Sequence, residues 1–120
     1  MVNKPKIQGT RFETQTKELL QSWGYKAYRL AEGGMADEGD VQVELPEEMI
    51  FECKARQALN IHQTYAKAKE KAGSKPLVLA WKKLLRKGNN KKRTADGVPT
   101  LYIVDEELLK ELLSGYKRQT

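Results

Sequence analysis

Asp40, Glu52 and Lys54 are the residues whose types and spacing could do chemistry together. Asp40 opens a run, 40–45, in which Val41, Val43 and Leu45 alternate with Asp40, Gln42 and Glu44. A second run, 49–54, alternates Met49, Phe51 and Cys53 with Ile50, Glu52 and Lys54. Alternation with period two marks a half-buried strand. Pro46-Glu47-Glu48 reads as a short turn, so the two runs are expected to form a hairpin. Matching the apolar faces pairs Leu45 with Met49, Gln42 with Glu52 and Asp40 with Lys54, because a one-residue slip would send one apolar set to the wrong side. Asp40 then lies diagonal to Glu52, roughly 7–8 Å away at the backbone, within reach of one shared cation. Magnesium takes one or two carboxylates together with water and phosphate oxygens. Such an ion would neutralise a phosphate diester and acidify a bound water. Lys54 would hold that water or the charge growing on phosphorus. Asp37 is a rival to Asp40, but it falls in the glycine-rich stretch and not on the hairpin.

The surrounding elements must hold that hairpin in place. Residues 1–9 are polar and expected to be loose. Thr10-Arg11-Phe12-Glu13 has a capping-box pattern that opens a helix, with Phe12, Leu19, Leu20 and Trp23 on one side and Gly24 as the stop. A strand is expected over 25–30, then a loop containing Gly33, Gly34 and Gly39. Asn60 caps a second helix through Ala72, with Ile61, Tyr65, Ala68 and Ala72 on one stripe and Gly73 ending it. Residues 77–81 and 101–104 read as buried strands. The last helix begins at Asp105-Glu106-Glu107, carries Leu108, Leu109, Leu112 and Leu113 as its stripe, and is expected to stop at Gly115. The order of elements predicts an α/β fold: a mixed sheet flanked by helices, in a single domain over 1–120.

The chain has 120 residues, enough for one core. Lys and Arg number 22 against 16 Asp and Glu, a net charge of +6, which favours a polyanionic partner. Seven cations and no acid lie within 82–93, a stretch expected to be a basic loop or arm (82–99) over DNA phosphates through Lys82, Lys83, Arg86, Lys87, Lys91, Lys92 and Arg93. No aromatic residue interrupts it, so backbone and shape would be read there, without base stacking. A solvated charge run is the plainer alternative. Cys53 is the only cysteine, which excludes an internal disulfide and a cysteine-based zinc site. No apolar run is long enough to span a membrane and no secretory leader is evident, so an intracellular protein is expected.

Asp40, a hairpin and Glu52-Cys53-Lys54 resemble the core motif of PD-(D/E)XK nucleases. From Gly9 to Trp81 the chain also resembles the archaeal-type Holliday junction resolvases, and viral resolvases of that type equally. The likeness is carried by Gly9…Glu13 on the opening helix, Trp23-Gly24-Tyr25, Arg29, the glycine-rich loop before Asp40, a helix bearing Gln63 and the strand at 77–81. The resemblance implies a restriction-endonuclease-like mixed sheet and a homodimer that nicks four-way DNA junctions symmetrically with Mg2+, for which Mn2+ substitutes. It implies a prokaryotic cell, or a virus-infected one, as the setting. By residue, it makes Glu13, Asp40 and Glu52 metal-site acids, adds the Cys53 backbone carbonyl, and makes Lys54 catalytic. Arg29 becomes a phosphate contact, with Arg11 and Gln63 as further DNA contacts. The archaeal enzymes carry a serine in the glycine-rich loop, whereas this chain has none between Ser22 and Ser74.

Plainer readings stand beside these. The Asp40, Glu52, Lys54 set could be a solvated strand face, and Glu13 could complete the capping box or pair with Lys17. Arg29 and Gln63 could be ordinary surface residues, and His62 has no zinc or ββα-metal pattern around it. Two further functions remain open: another PD-(D/E)XK enzyme of restriction or repair type, and a non-catalytic basic DNA-binding module.

Overall fold

The computed structural model describes residues 4–30, 40–44, 48–84 and 98–119; for 4–8, 40 and 117–119 only the backbone is described. Along the chain these form α1 (Lys4–Ser22), β1 (Lys26–Arg29), β2 (Asp40–Glu44), β3 (Met49–Arg56), α2 (Ile61–Ala72), β4 (Leu77–Lys83), β5 (Leu101–Ile103) and α3 (Glu106–Gln119). The strands make one mixed sheet in the order β1-β2-β3-β4-β5. β3 and β4 run parallel, joined through α2, and the other neighbours are antiparallel. The expected α/β sheet with flanking helices is therefore present. No helix among the described residues is long and apolar enough to cross a membrane.

Each face of the sheet carries its own apolar cluster. On one face Ala27, Val41, Val43, Cys53 and Ala80 pack with Phe12 and Leu20 of α1. On the other, Ile50 and Leu77 pack with Ala68 of α2, flanked by Tyr65 and Ala72. Consecutive strand residues alternate between these faces, so Cys53 belongs to the α1 face and Glu52 and Lys54 to the α2 face.

Strand directions gather several strand ends. The last residues of β1, β3 and β4 and the first residues of β2 and β5 lie at one end of the sheet, as the pairs Arg29↔Val41, Asp40↔Glu52, Arg56↔Lys83 and Trp81↔Leu101 require.

Several expectations need correction. The hairpin register is two residues away from the predicted one: Val43 faces Met49, Gln42 faces Ile50 and Asp40 faces Glu52. Apolar faces fix only the parity of a register, and the connection proved longer than Pro46-Glu47-Glu48. α1 begins at Lys4, so Gly9 and Thr10 lie inside it and Thr10 is not its cap. Its buried side consists of Phe12, Glu13, Thr16 and Leu20, while Leu19 and Trp23 are exposed. Gly24 does end it, at a φ of 95° that a side chain would resist. α3 runs through Gly115 to Gln119, and of its leucines only Leu108 is buried. One glycine in a helix costs about 1 kcal/mol, too little to stop a helix that its neighbours continue. β4 reaches Lys83, and Leu84 is buried beside it, donating its N–H to the Arg56 carbonyl. Lys82 and Lys83 are thus strand residues and not part of a loop.

α2 follows expectation closely. Asn60 caps it, its side chain accepting the Gln63 N–H at 3.2 Å, and Gly73 closes it at φ 66°.

Candidate active site

The hairpin of β2 and β3 sets Asp40 directly opposite Glu52. Opposed positions in an antiparallel pair share a face, with Cβ atoms about 4.5–5.5 Å apart. Lys54, two residues beyond Glu52, shares that face again. Its ammonium lies 3.3 Å from Glu52 Oε2, and Lys71, reaching over from α2, lies 3.1 Å from Oε1. Glu52 is only 3% exposed. A carboxylate buried to that degree must meet opposite charge or lose its own, and here each oxygen meets a cation.

Between β3 and α2 opens a cleft of about 410 Å³. Among the described residues its charged lining is Glu52 on one side and Lys54, Arg56, Lys67 and Lys71 around it, four cations to one acid. Asn60, Gln63 and Thr64 add neutral polar groups at the first turn of α2. Such a wall attracts anions, and its buried acid offers oxygen ligands to a cation that would accompany them. Arg56, Lys67 and Lys71 were not anticipated. Two spacings could have revealed them: Glu52, Lys54 and Arg56 at strand period, and Gln63, Lys67 and Lys71 four apart on one helical line.

Further along the same face the polar groups are mutually satisfied. Buried Gln42 donates to the Tyr28 hydroxyl and to Glu48, and its oxygen accepts from Lys75 at 3.1 Å. Burial, with the Glu48 carboxylate next, holds the Tyr28 phenol above its ordinary pKa.

The remaining expected residues are distributed as follows. Glu13, 2% exposed, accepts hydrogen bonds on Oε1 from Arg29 Nε (3.2 Å) and Nη2 (3.1 Å). Both belong to the α1 face, since Arg29 sits in register with Val41. They share the sheet end with Asp40 but stand on the opposite face from Glu52. Arg29, expected at a phosphate, is thus Glu13's partner. Lys82 also turns to the α1 face, bonding Gln15 at 3.0 Å with its ammonium 6.0 Å from the Phe12 ring centroid. Lys83 donates to the Gln57 carbonyl at 2.9 Å. Arg11 and His62 are exposed, and Gln63 is exposed at the cleft. The Cys53 thiol is buried on the α1 face and directed to the Phe51 carbonyl, so only its backbone could serve a metal. The Asp40 side chain and Arg86, Lys87, Lys91, Lys92 and Arg93 lie outside the described residues.

No protein-family model matches the chain, and no curated protein matches it. Among the described residues no group of three His, Cys, Asp or Glu could hold a metal. Magnesium needs only one or two carboxylates. A buried carboxylate drawing two ammonium groups, with a second acid position directly across the ladder, fits one hard divalent cation.

Proposed function

We propose that this protein is a divalent-metal-dependent endodeoxyribonuclease of the PD-(D/E)XK type that cuts four-way DNA junctions. The observation that carries the reading is the register pair Asp40↔Glu52, with Lys54 two residues on, at a cleft that Arg56, Lys67 and Lys71 also line. Asp40, Glu52 and the Cys53 backbone carbonyl would hold Mg2+ or Mn2+. A bound ion of this kind polarises a phosphate oxygen and lowers the pKa of a coordinated water.

The chain's own residues supply the rest. Lys54, tied to Glu52 at 3.3 Å, would donate a hydrogen bond to the attacking water or to the charge that develops on the phosphoryl oxygens. Arg56 and Lys67 neutralise phosphates lying along the cleft. Glu13 and Arg29 brace α1 against β1 beneath the same sheet end. Paired nicks on crossed strands need two sites related by a two-fold axis, so the reading includes a homodimer.

One observation favours a second reading, that of a DNA-binding module without catalysis: Glu52 already has an ammonium at each oxygen and could serve purely as their counter-ion. Cleavage of a labelled four-way junction and of a linear duplex of the same sequence separates these readings. Junction nicking that needs Mg2+ and disappears in Glu52→Gln and Asp40→Asn supports the proposal. Equal cutting of the duplex points to a restriction- or repair-type enzyme, and salt-sensitive binding with no product at all points to the module.

A further inference from the structure

Among the described residues two ammonium groups reach Glu52, and they are not equivalent. Lys54 is two residues away on the same strand and shares its face by construction. Lys71 comes from the last turn of α2, crosses the cleft to Oε1 and keeps 32% of its side-chain surface exposed. A divalent ion held by Glu52 would need one of its carboxylate oxygens, and like charges repel strongly where burial lowers the screening.

We propose that Lys71 is a built-in stand-in cation. It holds Glu52 while no metal is bound, yields that oxygen when a divalent ion enters, and then receives a DNA phosphate beside Arg56 and Lys67. The inference rests on the nuclease reading and adds a positioning residue to it. Lys71 has somewhere to go. The last turn of α2, ended at Gly73, carries the negative end of the helix dipole, which stabilises an ammonium that has left its carboxylate. The cleft already presents Arg56, Lys67 and Gln63 to the same space, so a released Lys71 joins an existing cationic wall. The exchange raises the positive charge beside Glu52 by one, the ion's two in place of the one from Lys71, and the displaced ammonium meets the negative phosphate that the ion attracts.

The test uses the full chain with Lys71→Met, which keeps most of the apolar stem and removes the charge. Lys71→Arg keeps the charge, and Lys110→Met on α3 is a control away from the cleft. Without DNA, Mn2+ binding followed by calorimetry should tighten about tenfold in Lys71→Met, the effect of removing one neighbouring charge, and not in Lys71→Arg or Lys110→Met. In chelator the melting temperature of Lys71→Met should fall, and saturating Mn2+ should restore it. In Ca2+ its affinity for duplex DNA should weaken, and the slope of log affinity against log salt should drop by about 0.9. Should Lys71→Met fail to fold, the milder Lys71→Gln carries the same expectations.

A folded Lys71→Met or Lys71→Gln with Mn2+ affinity equal to or weaker than wild type overturns the inference. If wild type binds Mn2+ and cuts DNA in that case, the nuclease reading survives alone. A wild-type protein that binds no Mn2+ at millimolar concentration overturns both.

Discussion

Replacing Arg29 with methionine removes both donors from a carboxylate that is 2% exposed. Glu13 is then left in the α1 interface without its guanidinium partner. Breaking a buried ion pair from one side costs about 3–5 kcal/mol. The Arg29 side chain is 20% exposed, so solvent reaches the guanidinium and the lower end applies, about 3 kcal/mol. With a urea slope of roughly 1.5 kcal/mol per molar, the unfolding midpoint should fall by about 2 M. Adding Glu13→Gln removes the stranded charge and leaves a neutral amide whose cost is about 1 kcal/mol, so the double variant should recover most of the loss. Urea unfolding followed by circular dichroism on the wild type, the two single variants and the double variant completes the cycle. A loss below about 1 kcal/mol for Arg29→Met, or a double variant no more stable than it, would refute the claim that this pair braces α1.

Three further perturbations probe the frame around the cleft. Asn60→Ala removes the oxygen that accepts the Gln63 N–H and should cost about 1 kcal/mol in the same unfolding assay. Gly73→Ala should cost about 1–2 kcal/mol although nothing lies within 4 Å of the added Cβ, because φ 66° with ψ −123° suits only glycine; thermal melting reads this loss. Tyr65 titrates above its ordinary 10.0 through burial, then through the Asp105 carboxylate. The unfolded chain therefore loses this proton first, and the contribution to stability is complete below pH 10 and disappears as pH rises through the folded-state value. Tyr65→Phe should be less stable at neutral pH, lacking the hydroxyl that accepts the Asp105 N–H at 3.1 Å, and should lose less stability on alkaline titration than wild type.

Strand faces were readable because alternation is a property of the chain itself: Val41, Val43 and Cys53 are buried against α1 as their period demanded. The register was not, since shifts of two residues preserve every face, and only the length of the connection distinguishes them. The shift mattered, turning a diagonal relation between Asp40 and Glu52 into a direct one. Punctuation misled at Gly9-Thr10 and at Gly115, where local signals for helix ends were overridden by helical residues on both sides. The resemblance and the capping-box spacing pick out Glu13, yet its burial is invisible in the sequence, because a carboxylate enters a helix's packed side only when a partner from elsewhere is available. That partner, Arg29, is sixteen residues away. The i, i+4 line of Gln63, Lys67 and Lys71 was legible in the sequence, but not the bond from Lys71 to Glu52, which spans the crossover from β3 to α2.

The parallel pairing of β3 with β4 has a practical consequence for how such a scaffold diversifies. β1 and β4 end, and β2 and β5 begin, at the end that holds Glu52 and Lys54. A ladder pair joins each ending strand to a beginning one, Arg29 with Val41 and Trp81 with Leu101. Changes in the length or content of the chain between those pairs leave the ladder itself intact. Segments joined at that end can thus be exchanged without disturbing the pairing of Asp40 with Glu52.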